Sequence, residues 1–260
     1  ASIMIAIDQG KLNMEQRLFE FFPEFSRLDT GMKRQITIKH LLTMSSGLHW
    51  KENIYNDSLK KGSEYDVVDF ILRQELMHTP GTIFEYNSSS TQLLAFILER
   101  VTGTNLISFA HKHLFQPLGI SNYNWTIEKN GVTCAWAGLR MRSRDLLKFG
   151  MLYLNDGKWN GKQLIPAKLV AASMKKQIDF PFNDPEVSIG YGYQFWTFSE
   201  TIVGKQAAYA QAQGNGGQII VIDKQNNLVA VLTSGNYYQD QLRKSSWNIF
   251  VDFIFPAINK

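Results

Sequence analysis

Apolar residues recur three and four positions apart through most of the first two thirds of the chain. This is the spacing of helices that bury one face. The chain opens on an apolar run, Ile3 to Ile7, that closes at Asp8-Gln9-Gly10, as a buried helix ends near a glycine. Thr37 is a predicted N-cap for a short helix that runs through Leu42. Further helices are predicted over 66–74, 90–100, 107–114, 144–154 and 166–175.

Beyond residue 188 the pattern changes to short runs that are rich in β-branched and aromatic residues, as in strands. Strands are predicted over 191–198, 205–213, 218–223 and 228–233, with a turn at Asn226-Asn227 and a closing helix over 240–255. Helices followed by an antiparallel meander predict an α/β fold, with an antiparallel sheet flanked by helices and a mostly helical subdomain. We expect residues 1–25 and 185–260 to form the α/β subdomain and residues 26–184 the helical one.

Composition excludes several classes of function. With 260 residues, 44% of them apolar, the chain can form one large domain or two interleaved ones. No apolar run approaches the roughly 18 residues that cross a bilayer, so no membrane span is expected. The 27 basic and 23 acidic residues give a formal charge of +4, but the basic residues are scattered, whereas nucleic-acid binding requires a concentrated stripe.

Cofactor chemistry is not expected either. The five histidines do not fall in a ligand spacing with Cys, Asp or Glu, so we expect no metal and no other cofactor. The single cysteine, Cys134, lies in no recognisable catalytic motif. It is therefore interpreted as a buried structural thiol rather than a nucleophile.

One stretch with the composition of a reactive site runs from Pro80 to Ser88. It brings Tyr86 and the serines that follow it to the start of a predicted helix, where backbone N–H groups and the helix dipole favour negative charge. This is a suitable place for a tyrosinate. A tyrosine beside serines is, however, more often a structural hydrogen-bonding residue.

A second such stretch is Gly214-Asn215-Gly216-Gly217, which precedes an apolar strand. Clustered glycines let a ligand approach the backbone and present an N–H group to it, as in an oxyanion hole. The same residues would also form an ordinary hairpin turn. The local sequence does not distinguish between these two interpretations.

The segment Ile36 to Leu48 resembles a hallmark of the serine β-lactamase and penicillin-binding-protein superfamily, in which a similar helix precedes the active-site loop. The resemblance continues in family order through Phe84 to Ser88, Ala137 to Met141, Trp159 to Lys162, Gly190 to Tyr193 and the glycine stretch at 214–217. It implies a β-lactamase/transpeptidase-like fold and is closest in kind to class C-like members, in the esterase or 6-aminohexanoate-oligomer hydrolase branch.

The resemblance implies a serine hydrolase that works through an acyl-enzyme. In that superfamily the nucleophile is the Ser of a Ser-x-x-Lys motif, and its proton is managed by the Lys and by a tyrosine that Tyr86 matches. Two backbone N–H groups hold the oxyanion, one from the nucleophile itself and one that we assign to Asn215. Substrate contacts are expected from Ser88, Trp50, Gly214, Gly216 and Gly217.

The sequence does not contain the Ser-x-x-Lys motif at its family position. The two Ser-x-x-Lys strings that begin at Ser58 and Ser173 are interpreted as coincidental, since the first lies in a polar loop and the second ends a surface helix. We expect the nucleophile in a missing N-terminal segment, about three helical turns before Asp8. That segment is expected to complete the fold, and this chain alone is expected to be inactive.

Two departures from the β-lactamase pattern bear on the substrate. Ser88 replaces the usual Asn of the tyrosine motif, and no Lys-Thr-Gly precedes Gly214. In β-lactamases that strand lysine helps to anchor a substrate carboxylate, so the resemblance points to small esters or amides. The alternatives are a non-catalytic β-lactamase-like binding module, or a β-lactamase or D-aminopeptidase proper. The compartment stays open, because an export signal would precede Ala1.

Overall fold

The computed structural model describes residues 1–52, 57–237, 239 and 245–258. It divides into two compact units, Ala1–Arg140 and Met141–Lys260. The grouping of residues 1–25 with 185–260, and of 26–184 as a helical subdomain, stays a prediction.

The first unit is mainly helical. Its α-helices are α1 (Ser2–Asp8), α2 (Ile38–Leu42), α3 (Glu64–Arg73), α4 (Ser88–Thr102) and α5 (Leu106–Ala110), the last continued by a π-helical turn over His111–Phe115. Within its described residues, four 3₁₀ segments lie at Leu18–Phe21, Pro23–Leu28, Gly31–Gln35 and Ser58–Lys60. Two short strands, β1 (Tyr123–Trp125) and β2 (Leu139–Met141), pair with each other near the end of the unit.

Helix α4 is the central element of this unit, because it is buried along most of its length. Leu93, Phe96 and Ile97 are each no more than 2% exposed, and α4 packs against α1, α2, α3 and α5. Several predictions from the sequence are confirmed here. Helix α1 ends at Asp8, with Gly10 in the left-handed region (φ 68°), and the Thr37 side chain accepts a hydrogen bond from the backbone N–H of His40.

The second unit contains the sheet. Its helices are α6 (Ser143–Leu154), α7 (Ala167–Met174), α8 (Ser245–Ile249) and α9 (Phe255–Ile258), the last two joined by a π-helical turn over Phe250–Ile254. Strands β3 (Lys158–Trp159) and β4 (Lys162–Gln163) form a short hairpin. The main sheet contains β5 (Ile178–Phe180), β6 (Ser188–Tyr191), β7 (Trp196–Ile202), β8 (Lys205–Gly214), β9 (Gln218–Asp223) and β10 (Leu228–Leu232).

The main sheet is an antiparallel meander in which each strand pairs with the next along the chain, in the order β10-β9-β8-β7-β6-β5. This order confirms the predicted antiparallel sheet flanked by helices. The predicted turn at Asn226-Asn227 joins β9 to β10, and Asn227 adopts φ 50° there. Residues 240–244 of the predicted closing helix lie outside the described residues.

Helices cover both faces of the sheet. Because side chains alternate between the faces of a strand, Val221 and Ala230 contribute to one face and Ile220 and Val229 to the other. The first face packs against Phe250 and Phe255 in the C-terminal helical segment. On the other face, a Cβ atom at Gly150 would lie 2.5 Å from Val229 Cγ1, so the glycine lets α6 approach the sheet closely.

The predicted strand over 191–198 is wrong in its extent. Strand β6 ends at Tyr191 and β7 begins at Trp196, and the residues between them form a tight turn. Gln194 adopts φ 65° in this turn, and the N–H of Gly192 donates to the carbonyl of Phe195 at 2.7 Å. The aromatic residues of this stretch favour a strand by composition, but the backbone reverses direction among them.

None of the described helices is long and apolar enough to cross a membrane by itself; only α4 and the bent α5 segment, 77° apart, meet that criterion as a pair. Cys134 is 4% exposed, as predicted for a structural thiol. Burial raises its pKa to about 11, so little thiolate forms at neutral pH.

Candidate active site

Tyr86 lies immediately before the cap of α4, in a segment without regular secondary structure, residues 84–87. The next residue, Asn87, has extended backbone angles (φ −147°, ψ 99°), and the helix begins at Ser88. Tyr86 is 43% exposed. The structure thus presents a tyrosine at the surface beside a helix N-terminus, as the sequence predicts.

Asn87 fixes the start of this helix. It is 1% exposed, and its Oδ1 accepts hydrogen bonds from the backbone N–H of Ser90 at 3.2 Å and from the Ser89 hydroxyl at 2.5 Å. Its Nδ2 donates to the carbonyl of Leu48 at 3.1 Å. One buried amide therefore joins α4 to the Ser46–Leu48 segment and holds the backbone that carries Tyr86.

We expect Asn87→Ala to lower the free energy of unfolding by about 3 kcal/mol. The substitution removes an N-cap, worth about 1 kcal/mol, and leaves the Leu48 carbonyl without this donor in a buried site, which costs about 1–3 kcal/mol. Urea unfolding monitored by circular dichroism measures the change. Asn105→Ala is the matched control, because Asn105 caps α5 through the Ser108 N–H from an exposed position. A loss as small as the control's would contradict the role of Asn87.

Ser88 is engaged by a carboxylate. Its backbone N–H donates to Glu52 Oε1 at 2.7 Å, and its hydroxyl donates to Glu52 Oε2 at 2.6 Å. The serine is only 3% exposed, while Glu52 is half-buried. The predicted contact of Ser88 with substrate stays a prediction. In the structure, the serine orients Glu52 beside Tyr86.

The surroundings of Tyr86 oppose its ionisation. Although 43% of the residue is exposed, the protein around the ring removes enough solvent to raise the pKa of the phenol above its ordinary value, and the negative charge of Glu52 raises it further. Even the ordinary phenol pKa lies about three units above neutrality, so a tyrosinate costs about 4 kcal/mol at pH 7. Tyr86 needs a nearby cation to serve as a base.

Trp50, the predicted aromatic contact for substrate, is 4% exposed. Its ring lies edge-on to Phe70, with centroids 6.1 Å apart. This is the environment of a packed core aromatic. Contact of Trp50 with substrate stays a prediction.

In the second unit, the glycine stretch forms the hairpin turn between β8 and β9. Strand β8 ends at Gly214, and β9 begins at Gln218. Gly216 and Gly217 adopt φ 83° and 86°, which glycine permits at no steric cost. Asn215 is exposed at the turn. The structure therefore shows the hairpin turn, which is one of the two interpretations of this stretch. An oxyanion contact from the Asn215 N–H stays a prediction.

Hydrogen bonds to its backbone carbonyls hold this hairpin turn in place. The Gly216 carbonyl accepts hydrogen bonds from the Ser234 hydroxyl at 2.5 Å and from the Asn236 N–H at 3.1 Å. The Gly217 carbonyl accepts one from the Ser246 hydroxyl at 2.7 Å. The backbone of the turn is therefore fixed, as an oxyanion-binding group must be.

Neither of the two Ser-x-x-Lys strings has the placement of a nucleophile. Ser173 is fully buried in α7, and its hydroxyl donates to the carbonyl of Leu169 at 2.7 Å. Ser58 begins a 3₁₀ segment, Ser58–Lys60, and the lysine of its string, Lys61, is the exposed residue that follows this segment. Among the described residues, no group of three or more His, Cys, Asp or Glu side chains could hold a metal ion.

Two residues of this region, Asn87 and Glu52, were not singled out from the sequence. An Asn that precedes a helical pattern is a recognisable N-cap signal, so Asn87 could have been found. Glu52 contacts Ser88 across 36 positions of sequence, and no local pattern signals such a contact.

The fold agrees with the comparison to known families. The profile described as Beta-lactamase matches residues 1–249, and the chain belongs to this family. The resemblance seen in the sequence is thereby confirmed.

Three known proteins illustrate the range of this similarity. Protein flp of Staphylococcus aureus (strain MW2) is 30% identical over 118 residues, 45% of this chain and 24% of that protein. The 6-aminohexanoate-dimer hydrolase of Paenarthrobacter ureafaciens is 23% identical over 88% of this chain and 61% of its own length. The solved structure of a family VIII carboxylesterase has a TM-score of 0.70 at 14% identity, covering 95% of this chain and 79% of the other.

This chain matches only part of each of these three proteins. The chain spans about a quarter of the length of the staphylococcal relative, 24%. The solved structure, at 14% identity, supports the fold alone.

Proposed function

We propose that the protein containing this chain is a serine hydrolase that cleaves small esters or amides through an acyl-enzyme. The observation that carries the proposal is Tyr86, exposed at the N-terminus of α4 and held there by the buried Asn87 cap, in a chain of the Beta-lactamase family. The name of one similar protein, a 6-aminohexanoate-dimer hydrolase, supports a hydrolase as the class of enzyme.

In the proposed reaction, the nucleophilic serine belongs to a Ser-x-x-Lys segment outside this sequence. Its Oγ attacks the substrate carbonyl carbon while its proton passes to the Tyr86–Lys pair. The proton then goes to the departing alcohol or amine as the C–O or C–N bond breaks. Water attacks the acyl-enzyme, and the serine recovers its proton. The lysine also supplies the cation that Tyr86 needs, because burial and Glu52 hold the pKa of Tyr86 high.

The oxyanion of the tetrahedral intermediate is assigned to two backbone N–H groups. One is that of the nucleophile. The other is that of Asn215, in the turn whose Gly216 and Gly217 carbonyls are fixed by hydrogen bonds. Preorganised donors of this kind need no rearrangement as charge develops.

The substrate class follows from charge. The strand residues before Gly214 are Gln211, Ala212 and Gln213, so this strand end has no cation to anchor a substrate carboxylate. We therefore propose small esters or amides over penicillins. Besides the small-molecule substrate, the proposal requires a Ser-x-x-Lys segment as a partner of this chain, and no nucleic acid or cofactor is part of it.

A substrate panel tests this proposal. The protein that carries this chain together with its Ser-x-x-Lys segment is assayed with p-nitrophenyl esters, short D-aminoacyl amides and a chromogenic cephalosporin. We expect a kcat/KM for the best ester or amide at least tenfold above that for the cephalosporin. A preference for the cephalosporin would show a β-lactamase proper, and turnover of none of the three would show a non-catalytic module.

A further inference from the structure

A buried network of three side chains joins the main sheet to helix α8. Tyr209 of β8 donates a hydrogen bond to Glu200 Oε1 of β7 and accepts one from the indole Nε1 of Trp247 at 3.0 Å. We propose that Tyr209 is a positioning residue: through Trp247 it holds α8, and α8 holds the hairpin turn that contains Asn215. This inference rests on the function proposed above, in which that turn supplies an oxyanion donor.

The direction of each hydrogen bond in this network is fixed by the chemistry of its members. An indole N–H can only donate, so the Tyr209 hydroxyl is the acceptor from Trp247. Its single hydrogen is therefore directed to Glu200. Burial, together with the adjacent carboxylate, raises the pKa of Tyr209, so the phenol keeps this proton at neutral pH. One hydroxyl thus joins two elements, β7 and α8.

The ring of Tyr209 is packed tightly enough to hold this hydroxyl in one position. The residue is 4% exposed and Glu200 is 6% exposed. The ring stacks on Phe198 with centroids 5.1 Å apart, and it meets Phe250 edge-on at 5.0 Å. Phe250 is itself fully buried in the C-terminal helical segment. In such a buried place a hydrogen bond is electrostatically stronger than in water, and a broken one is costly.

Helix α8 is held at a second point, next to the first. Ser246, the residue before Trp247, donates its hydroxyl to the Gly217 carbonyl at 2.7 Å. Trp247 thus ties α8 to the middle of β8, and Ser246 ties the turn to α8. The hydrogen bonds form one path from Glu200 to the turn. A shift of α8 at one end of this path is passed to the backbone at the other.

The path bears on catalysis because an oxyanion donor has to be placed accurately. A misplacement of about 1 Å can cost about 100-fold in rate, and loss of a whole donor costs about 100- to 1,000-fold. The oxyanion develops only in the transition state, so a displaced Asn215 N–H should lower kcat and leave KM nearly unchanged. A tyrosine that served only stability would not produce this division between kcat and KM.

The test removes the hydroxyl of Tyr209 from the protein that contains the Ser-x-x-Lys segment. Tyr209→Phe should lower kcat for the preferred ester about 10- to 100-fold and change KM by less than about threefold. Glu200→Leu, which removes the acceptor, should cause a similar loss. Glu200→Gln, which keeps an acceptor oxygen, should restore most of the activity. A loss in Glu200→Gln as large as in Glu200→Leu would contradict the network.

Tyr153→Phe is the matched control. Tyr153 is also a buried tyrosine of the second unit, 1% exposed, but it lies in α6 and its ring packs against Phe149 and Phe195. This variant should have the kcat and KM of the wild type. An equal loss of kcat in Tyr153→Phe and Tyr209→Phe would mean that any buried tyrosine hydroxyl has this effect, and would overturn the inference.

A double-mutant cycle shows whether Tyr209 acts through α8. Ser246→Ala removes the hydroxyl that holds Gly217 and should itself lower kcat. If both residues lie on one path, the double variant should have a kcat within about threefold of the worse single variant, because effects within one network are not independent. A kcat lowered by the full product of the two single effects would contradict the path.

Hydrogen exchange gives a measurement that does not require activity. The Asn236 N–H donates to the Gly216 carbonyl of the turn at 3.1 Å, so its exchange reports on the turn. By NMR, this amide should exchange about tenfold faster or more in Tyr209→Phe, and at the wild-type rate in Tyr153→Phe. If Tyr209→Phe does not fold, the half-buried Trp247 is replaced instead. Trp247→Phe removes only the donor to Tyr209, and the same results are expected.

The outcomes separate this inference from the proposed function. An unchanged kcat in a folded Tyr209→Phe protein overturns the role of Tyr209 and leaves the hydrolase proposal intact. If the wild type hydrolyses no substrate of the panel, the proposed function fails, and hydrogen exchange decides whether Tyr209 holds the turn. Faster exchange of the Asn236 amide in Tyr209→Phe supports that role, whereas unchanged exchange rejects it.

Discussion

Tyr86→Phe is expected to lower kcat/KM for ester hydrolysis by roughly 100- to 10,000-fold, the usual contribution of a positioned acid–base group. Phenylalanine keeps the ring and removes only the hydroxyl, so the helix start held by Asn87 should be unaffected. The assay uses the protein that carries the Ser-x-x-Lys segment, with the preferred ester from the panel as substrate.

Tyr65→Phe is the control for this loss. Tyr65 lies in α3 of the same unit, and its exposure of 48% is close to the 43% of Tyr86. Its ring packs against Phe25 with centroids 4.6 Å apart, so removal of its hydroxyl should leave kcat/KM unchanged. Equal activity of Tyr86→Phe and wild type, with unchanged circular dichroism, would remove Tyr86 from the mechanism.

Gly47→Ala is expected to lower the free energy of unfolding by about 3–5 kcal/mol, a loss typical of strain combined with overpacking. Gly47 adopts φ 77°, and a Cβ atom there would lie 2.1 Å from the backbone oxygen of His78. The chain cannot move aside easily, because the Gly47 carbonyl accepts a hydrogen bond from the Met77 N–H at 2.8 Å. The neighbouring Leu48 carbonyl is the one that Asn87 binds.

Gly103→Ala separates the two components of this effect. Gly103 ends α4 with φ 65°, but a Cβ atom there would meet no atom within 4 Å. The left-handed conformation alone costs an alanine about 1–2 kcal/mol. Urea unfolding of both variants should therefore show a clearly larger loss at Gly47, and equal losses would mean that the contact with His78 is relieved by a small shift.

Amphipathic helices and apolar strands were predictable from the sequence, because their burial repeats with a fixed period. The predicted ends of α4 and of strands β8 to β10 lie within a few residues of the observed ends. Strand β5 was not predicted, since Ile178–Phe180 is only three residues long and contains a charged one. The turn after Tyr191 was missed because its aromatic residues mimic the composition of a strand.

Tyr86 and the glycine turn were predictable because each has a local sequence signature. Glu52 was not, since its importance depends on a contact with Ser88 that the fold creates. The role of Trp50 could not be predicted for a different reason. An aromatic residue before a polar loop has the same local sequence whether it contacts substrate or, as in the structure, packs on Phe70.

The hydrogen bond from Ser246 to Gly217 gives the C-terminal helical segment a second role. Ser246 lies in α8, 29 residues after the carbonyl that it holds, so the end of the chain acts as a brace for the hairpin turn. Substitutions that shift α8 would move the backbone of Gly217 without touching any group in the turn itself. Substitutions in α8 can therefore change the width of the proposed oxyanion site during evolution, without a change in any residue of the turn.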